Sequence, residues 1–418
     1  MGFSNKKIAI IGSGIAGLSA THVLQKKYHI TLFEKNNKLG GHTNTHTITS
    51  GIDEGLKIDT GFIVMNNRNY PLLSKLFDQL NINLHSTNMS FSYHDTVTNL
   101  QYSGSGLNGL FGQRKNLFNP SFYFMIKEIL RFYKIAKNDL DNDSFNNNSL
   151  DEYLKKYNFS NNFIKHHLIP MGSAIWSTPC KDMSNFPAYN FINFLNNHGL
   201  LSINERPTWQ TVVGGSNTYI NRMLNEWKNV EINLNAKIEG IKRFNDHIEI
   251  FCDNKLLLFD DVIIATHANQ VLDLLDDADE NEQELFKYWK YAKSKVYLHT
   301  DKSVMPPINN IWSSWNFKRL NDYKSSLTYY MNSLQSLKTE LNYFVSLDLP
   351  EEPNNIIYEV NYEHPIFTNK VINQREELIN RNGTNNTWFT GSYLGNGFHE
   401  DGIKSSLDVA LKIGKIYE

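Results

Sequence analysis

A glycine-rich segment near the N-terminus carries the clearest chemical signal in the chain. Residues 12–17 read GSGIAG, follow the apolar run KKIAII, and open a stretch whose apolar residues recur at helical spacing. In this pattern the first glycine permits a tight turn, the second lets a pyrophosphate approach the backbone, and the third lets the helix pack on the strand. The N-terminus of that helix faces the anion. The segment predicted to bind a dinucleotide therefore consists of Gly12, Ser13, Gly14, Ile15, Ala16 and Gly17.

An acidic residue ends the second predicted strand, which has the sequence YHITLFE. Glu34 stands 17 residues after the last glycine, where a carboxylate accepts hydrogen bonds from the ribose hydroxyls and disfavours a 2′-phosphate. A strand-end acid on the surface adds little to a core. We therefore expect Glu34→Ala to weaken dinucleotide binding without unfolding the chain.

The residues that follow Glu34 indicate which dinucleotide is bound. The stretch EKNNKLGGH places Lys38 four residues after the acid and the pair Gly40 and Gly41 just beyond. This stretch resembles the second fingerprint of the flavin-containing amine oxidase superfamily. The resemblance implies that these residues line the pyrophosphate and flavin edge of FAD, with His42 where the superfamily usually has arginine. Neither cysteine lies in a motif typical of a thioether link, so the FAD is expected to be noncovalent.

Two later segments extend the resemblance. The stretches NAKI at 235–238 and DDVIIAT at 260–266 resemble the segment in which the superfamily chain returns to the cofactor domain. The stretches WFTGS at 388–392 and GFHEDG at 397–402 resemble its closing flavin motif. Glu400 and Asp401 also suit a second interpretation, as first-turn acids that complement a helix dipole. The further cofactor-binding residues that the resemblance implies are Ile238, Thr266, Gly391, Ser392, Glu400 and Asp401.

Two residues are candidates for catalysis. By the same resemblance, His399 falls where amine oxidases place an aromatic residue on the substrate side of the flavin. Its imidazole is a candidate to orient a substrate or to transfer a proton near neutral pH, or it only hydrogen-bonds backbone at a helix start. Lys293 lies roughly where some relatives place a lysine that holds a water at the flavin, although a surface lysine is the alternative. His166 and His167 have no third ligand at metal spacing, so no metal site is predicted.

The elements that must position these residues form an α/β fold. A β-α-β unit opens the chain, and strand signals return after the middle and in the last fifty residues. Because these signals lie in three separated segments, they predict a discontinuous FAD-binding domain of Rossmann type, formed by residues 1–80, 208–270 and 380–418. A mixed α+β substrate domain, similar to that of amine oxidases, is predicted for 81–207 and 271–379.

Composition excludes several other classes of protein. The chain has 418 residues, 41 Lys and Arg against 43 Asp and Glu, and a net charge of −2, so nothing predicts nucleic-acid binding. Two cysteines are too few for a disulfide framework, which favours a cytoplasmic protein. The mean hydropathy is −0.44, and no apolar run reaches the ~18–20 residues of a spanning helix.

One segment has two interpretations. From Leu110 to Lys134, aromatic residues alternate with Arg114, Lys115 and Lys127. The segment is either an amphipathic element that docks on the inner face of an anionic membrane or part of the core of the substrate domain. Aromatic residues at helical spacing usually pack in the core of a protein, which favours the second interpretation.

The resemblance also bears on the reaction. The stretches GGHTNT, DTGFIVMN and GFHEDG are similar to one bacterial subgroup of the superfamily, associated with enzymes that modify unsaturated fatty acyl chains. This implies an apolar substrate that donates a hydride to FAD, and a place in lipid metabolism. A redox-neutral double-bond isomerase, an amine oxidase and a noncatalytic flavin-binding partner remain alternatives. No second glycine fingerprint is present for a nicotinamide, so O₂ or a quinone-like carrier is the expected electron acceptor.

Overall fold

The computed structural model describes residues 4–142, 144–202, 206–321 and 324–416. Its strands are β1 (Lys7–Ile11), β2 (His29–Glu34), β3 (Thr45–Thr47), β4 (Lys57–Asp59), β5 (Met65–Asn66), β6 (Leu84–Thr87), β7 (Phe91–Asp95), β8 (Leu100–Ser103), β9 (Trp209–Val212), β10 (Val230–Leu234), β11 (Ile238–Arg243), β12 (Ile248–Cys252), β13 (Lys255–Phe259), β14 (Asp261–Ile264), β15 (Lys290–His299), β16 (Trp315–Arg319), β17 (Ser325–Tyr330), β18 (Phe344–Leu347), β19 (Ile356–Ile366) and β20 (Thr387–Phe389). Its α-helices are α1 (Ile15–Leu24), α2 (Pro71–Gln79), α3 (Gly106–Leu110), α4 (Pro120–Asp141), α5 (Leu150–Lys156), α6 (Asn161–Phe163), α7 (Ile169–Trp176), α8 (Cys180–Met183), α9 (Ala188–Asn197), α10 (Asn217–Glu226), α11 (Val271–Leu274), α12 (Glu280–Phe286), α13 (Met331–Leu334), α14 (Asn369–Asn373), α15 (Arg375–Asn380) and α16 (His399–Ile416).

A five-stranded parallel sheet forms the centre of the cofactor-binding half, in the order β10-β2-β1-β14-β20. Ile8 and Ile10 point to one face, where they pack with apolar residues of α1, α2, α10 and α16. Ala9, Ile11 and Phe33 point to the other face and share a cluster with the antiparallel strands β12 and β13. Both faces are covered, which explains why β1 is an unbroken apolar run rather than an alternating one. The predicted α/β fold with a parallel dinucleotide-binding sheet is confirmed.

The strands of this sheet come from three separated parts of the chain, as the sequence indicated. All five lie within 1–80, 208–270 and 380–418, whereas the strands β7, β8 and β15–β19 lie within 81–207 and 271–379. One small sheet spans the predicted boundary. Its strand β6 lies in the predicted substrate domain but pairs with β9, which also pairs with β5, and both of these strands lie in the predicted FAD-binding domain. The domain limits themselves stay a prediction.

A seven-stranded mixed sheet forms the centre of the other half, in the order β19-β15-β18-β17-β16-β7-β8. Its only parallel pair among the described residues is β16 with β7. The edge strand β19 contacts the cofactor-binding half, since the hydroxyl of Tyr362 hydrogen-bonds with the side chains of Asn44 and Thr60. This edge positions the side chains of β19 at the functional site.

The aromatic and basic segment is a turn at Arg114–Phe118 followed by the 22-residue helix α4. Phe122, Met125 and Phe132 are buried in the core, as the packing interpretation requires. Tyr123 and Phe124 lie on the opposite, exposed face. Packing therefore accounts for one face of the helix and leaves the other unexplained. None of the helices in the described ranges combines the length and the apolar character needed to cross a bilayer.

Candidate cofactor site and active site

A cavity of about 1280 Å³ lies at the carboxyl ends of β1, β2 and β14, where open parallel sheets bind their ligands. It continues past β19 to the helices α7 and α9. It brings together most of the residues that the sequence predicts for the cofactor, together with the catalytic candidate His399. The predicted residues that line it are Gly12, Ser13, Gly14, Ile15, Ala16, Glu34, Lys38, Gly41, His42, Ile238, Thr266, Gly391, Ser392 and His399.

The glycine-rich turn leaves room for an anion at the start of α1. A Cβ built on Gly17 would collide with the carbonyl oxygen of Gly12, so Gly17 is needed for packing and does not line the cavity. A Cβ built on Gly14 meets nothing within 4 Å. Helix α1 has no side-chain cap and no acid in its first turn. Its free N–H groups and the open space at Gly14 fit the pyrophosphate of a dinucleotide.

Glu34 holds this turn in place. Its Oε2 accepts hydrogen bonds from the backbone N–H (3.0 Å) and the hydroxyl (2.5 Å) of Ser13, and its Oε1 accepts two from Asn36. The side chain is buried rather than at the surface. A carboxylate offers about four acceptor positions, and these four donors use them. The expectation that Glu34 lies at the surface was therefore wrong, because its carboxylate is buried against the turn, and its contribution to folding stays a prediction.

Lys38 and His42 stand at two positions where the superfamily usually has arginine, and their surroundings suit the residues that are present. The amine of Lys38 donates to Asn44 (2.7 Å) and to the Tyr358 hydroxyl (3.1 Å). His42 is stacked on Tyr362, with ring centroids 4.8 Å apart. Burial, reinforced by neighbouring imidazoles, holds the pKa of His42 well below its usual range. A neutral imidazole replaces a permanent charge at this position.

Two further histidines, which sequence reasoning missed, line the cavity beside His42. The ring of His364, on β19, lies 5.0 Å from that of His42, and the ring of His267, after β14, lies 6.0 Å away. Burial lowers the pKa of His364 to about 4 and lowers that of His267. The Nε2 of His42 and the Nδ1 of His364 are buried without a protein partner. These nitrogens fit polar groups of a bound cofactor. No local motif in the sequence marked them.

His399 begins α16 and lines the cavity, as its match to the closing motif implies. Its Nε2 lies 3.0 Å from the Thr43 hydroxyl, which lies 2.6 Å from the Tyr219 hydroxyl. Its ring stacks on Phe62 with centroids 3.9 Å apart. Burial lowers the pKa of His399 to about 3. Desolvation keeps the imidazole neutral, which favours an orienting role over proton transfer near neutral pH, and the catalytic role of His399 stays a prediction.

The sequence profile of flavin-containing amine oxidoreductases matches residues 15–341, more than three quarters of the chain. The chain belongs to this family. No curated protein matches it in sequence.

Several solved structures share the fold over nearly the whole chain. A protein assigned as a protoporphyrinogen oxidase, from Exiguobacterium sp. 255-15, is 17% identical with a TM-score of 0.72, and the alignment covers 100% of both chains. Cyclohexylamine oxidase from Brevibacterium oxydans IH-35A is 12% identical with a TM-score of 0.71, covering 99% of this chain and 100% of the other. The CLA-producing fatty acid isomerase from P. acnes is 15% identical with a TM-score of 0.69, covering 97% and 98%.

As a member of the flavin-containing amine oxidoreductases, the protein is an FAD-dependent oxidoreductase that holds FAD without a covalent bond. The open space at Gly14, the uncapped start of α1 and the unpartnered nitrogens of His42 and His364 fit that cofactor. Neither Cys180 nor Cys252 lines the cavity.

Besides Gly17, three residues predicted for the cofactor lie outside the cavity of this oxidoreductase. Glu400 accepts hydrogen bonds from the N–H groups of Leu72 (2.8 Å) and Leu73 (3.0 Å) at the start of α2. Asp401 accepts one from the N–H of Phe398 (2.9 Å) at the start of its own helix. Asp401 thus lies at the start of its own helix, as the dipole interpretation expected, whereas Glu400 binds N–H groups of the neighbouring helix α2. Gly40 also lies outside, where a side chain would collide with Thr43 and Ile220.

Lys293 does not reach the site. Its side chain is 81% exposed, its Nζ lies 3.5 Å from a carboxylate oxygen of Glu363, and it does not line the cavity. Lys295 pairs with Glu352 and Glu359 instead. The structure therefore gives no support to a water held at the flavin by either lysine, because both amines pair with carboxylates and neither lysine lines the cavity.

The adjacent histidines of the middle segment hydrogen-bond tyrosines. His166 Nδ1 lies 2.9 Å from the Tyr93 hydroxyl, and His167 Nδ1 lies 3.0 Å from the Tyr102 hydroxyl. Within the described part of the chain, no three metal-ligating side chains come close enough to hold an ion.

Proposed function

We propose that this oxidoreductase takes a hydride from an apolar, unsaturated fatty-acyl-like substrate. The observation that carries the proposal is the lining of the cavity beyond the glycine-rich turn. That lining is aromatic and aliphatic, which suits an apolar ligand held with few polar contacts. It includes Met89, Phe91, Met171, Ile175, Trp176 and Phe194.

The carboxylates of the cavity argue against an amine as the substrate. The described acidic residues that line it are Glu34, Asp273 and Glu363. Glu34 is saturated by Ser13 and Asn36, and Glu363 lies 3.5 Å from both Lys293 and His267. Asp273, on α11, lies near β11 at the nucleotide end of the cavity. None of the three is placed to pair with an ammonium group in the apolar part.

An aromatic wall beside His399 excludes water from the reacting region. The rings of Phe194 and Phe398 stack with centroids 4.8 Å apart, and Trp176 lies against both. The indole N–H of Trp176 donates to the carbonyl of Asn396, which fixes the ring. When FAD is bound it accepts a hydride, one hydrogen with two electrons, from a substrate carbon. The neutral imidazole of His399 contributes a hydrogen bond at this wall and no charge.

The neutrality of His399 favours one second candidate, a redox-neutral double-bond isomerase. Desaturation requires a base that takes a proton from a neighbouring carbon and an external acceptor for two electrons. Isomerisation returns the hydride to another carbon of the substrate, so it requires neither a base nor an external acceptor. A wall whose histidine has a pKa of about 3 provides no base for the first route at neutral pH. The fold is shared with a protein described as a fatty acid isomerase, which also supports this candidate.

For the oxidative reaction, we propose that O₂ or a quinone-like carrier accepts the electrons. We also propose that the protein is cytoplasmic and receives its substrate from a membrane surface. The described residues contain one glycine-rich dinucleotide turn, which α1 follows, and FAD occupies it in this family. The apolar lining of the cavity supports a substrate that partitions into lipid.

Anaerobic stopped-flow measurement of flavin bleaching tests the proposed function. We expect oleic or linoleic acid to bleach the flavin, or to be converted to a positional isomer without net bleaching, and alkylamines and polyamines to do neither. Product analysis by mass and ultraviolet spectrum separates desaturation from isomerisation. Bleaching by amines alone would establish an amine oxidase. A stable FAD complex that no compound of the panel reduces or converts would support a noncatalytic flavin-binding protein.

We expect His399→Phe to keep FAD bound and to change the rate of conversion of the active fatty acid by no more than about tenfold. Phenylalanine preserves the stack on Phe62 and removes one neutral hydrogen bond to Thr43, worth about 0.5–1.5 kcal/mol. Stopped-flow rates between pH 5 and pH 9 provide the measurement. A loss of 10²-fold or more, together with the disappearance of a kinetic pKa in that range, would show that the imidazole transfers a proton.

A further inference from the structure

The outer surface formed by α3, the turn Arg114–Phe118 and α4 exposes an unusual number of large apolar side chains. Phe118 is 88% exposed and Leu107 is 76% exposed. The three elements form one surface, because Tyr123 donates to the carbonyl of Leu117 and Arg114 donates to Asn108 and to the carbonyl of Phe111. We call this surface the apolar ridge. Its exposed apolar members are Leu107, Leu117, Phe118, Tyr123, Phe124 and Leu130.

The apolar ridge and the rest of α4 also carry mostly basic charge. Residues 107–137 contain six basic residues and one acidic residue, in a protein whose net charge is −2. The single acid, Glu128, is buried and accepts hydrogen bonds from Ser160. The exposed face of α4 therefore presents basic side chains beside aromatic ones and no carboxylate in its first five turns. The basic residues are Arg114, Lys115, Lys127, Arg131, Lys134 and Lys137.

The ridge adjoins the apolar part of the cavity. Tyr133, on α4, lines that cavity, and so does Gly104, two residues before α3 begins. The ridge therefore lies on elements that also contribute to the wall of the cavity.

We propose that the apolar ridge docks the protein on an anionic lipid bilayer, with α4 parallel to the membrane plane. Contiguous exposed apolar surface of this kind marks an interaction site. An amphipathic helix with aromatic residues and a basic flank inserts its apolar side chains at the headgroup boundary, while each basic residue is attracted by the anionic leaflet. A second copy of the chain is disfavoured, since a two-fold contact would place like charges opposite each other.

The inference extends the proposed function by placing the protein at the surface into which an apolar substrate partitions, and it is measured without turnover. Co-sedimentation of the FAD-loaded protein is carried out with vesicles of phosphatidylcholine alone and with vesicles containing about one third phosphatidylglycerol. We expect binding to the anionic vesicles only, with a decrease of at least tenfold when salt rises from 50 to 500 mM, because exposed charges are screened. Binding that ignores lipid charge and salt, or no binding, would overturn the proposal.

Two variants localise the contact. Lys115→Glu with Lys127→Glu is expected to lower vesicle affinity by at least tenfold, and Phe118→Ser with Phe124→Ser to lower it similarly. The matched control, Lys75→Glu with Lys404→Glu on α2 and α16, has the same change in net charge and should bind like the parent. An equal loss of vesicle affinity in the control variant would show that binding depends on net charge alone, and it would overturn the assignment of binding to the ridge.

Unchanged melting temperature and flavin spectrum in each variant show that the fold is intact. An oligomer that dissociates in the ridge variants, without vesicle binding by the parent protein, would identify the ridge as an interface between copies and overturn the membrane proposal. Vesicle binding by a protein that converts no fatty acid would retain the ridge and remove the proposed function, so the two failures are distinguishable.

Discussion

Gly17→Ala is expected to destabilise the protein severely and to abolish FAD loading. The added methyl group would lie 1.9 Å from the carbonyl oxygen of Gly12, and that oxygen belongs to the backbone of the turn, which cannot move without separating α1 from β1. Overpacking of this kind costs about 1–3 kcal/mol or more. Thermal melting of the apoprotein and FAD titration provide the measurements. A variant that melts like the parent would show that α1 can shift at no cost, contrary to the packing described here.

Gly14→Ala is the matched substitution, three residues earlier in the chain, and it should separate folding from binding. The backbone at Gly14 has φ −65°, which alanine adopts readily, and no atom lies within 4 Å of the new methyl group. The apoprotein is therefore expected to melt like the parent. The methyl group stands where the pyrophosphate approaches the start of α1, so we expect FAD affinity to fall by roughly 100-fold, or about 2.7 kcal/mol.

Gly414→Ala, also in open space but on α16, serves as the control and should bind FAD normally. An unchanged FAD affinity in Gly14→Ala would place the pyrophosphate away from the start of α1.

Glu34→Ala is expected to lower both the stability of the apoprotein and its affinity for FAD. The substitution leaves the buried N–H and hydroxyl of Ser13 without their acceptor, and it removes the acceptor of Asn36. Leaving buried donors unsatisfied costs about 1–3 kcal/mol each, so we expect the free energy of unfolding to fall by roughly 3 kcal/mol. Urea unfolding of the apoprotein and FAD titration measure the two effects separately.

Glu231→Ala removes an exposed acid from the neighbouring strand β10 and should change neither quantity by a comparable amount. Loss of FAD affinity in Glu34→Ala with an unchanged apoprotein would instead make the carboxylate a ribose ligand alone, as the sequence suggested.

The sequence predicted a surface position for Glu34, whereas the structure buries it, and this difference shows what a local sequence pattern omits. Its position at the end of an apolar strand and after a glycine-rich turn was sufficient to predict its place in the site. Its burial depends on Ser13 and Asn36 folding over it from both sides. The sequence therefore identified the residue and its neighbourhood, whereas its hydrogen bonds to the turn appeared only in three dimensions.

Lys293 illustrates a different limit. Tyr291 lines the cavity, whereas Lys293, two residues further along β15 and so on the same face of the strand, does not. Lys293 is paired across the strands with Glu363 and its amine reaches solvent. Where the cavity ends along β15 depends on the pairing with β19, more than sixty residues later in the chain.

The sequence by itself determined the α/β fold, the glycine-rich turn, the three-part origin of the parallel sheet and the FAD class, because each is encoded by short-range spacing or by a motif. Only the tertiary structure decided the protonation of His399 and the grouping of His42, His267 and His364. These four histidines are far apart in the chain and become neighbours along one cavity. Their pKa values are lowered chiefly by loss of water. Desolvation is the summed effect of every element packed around a side chain, and no local sequence pattern contains that sum.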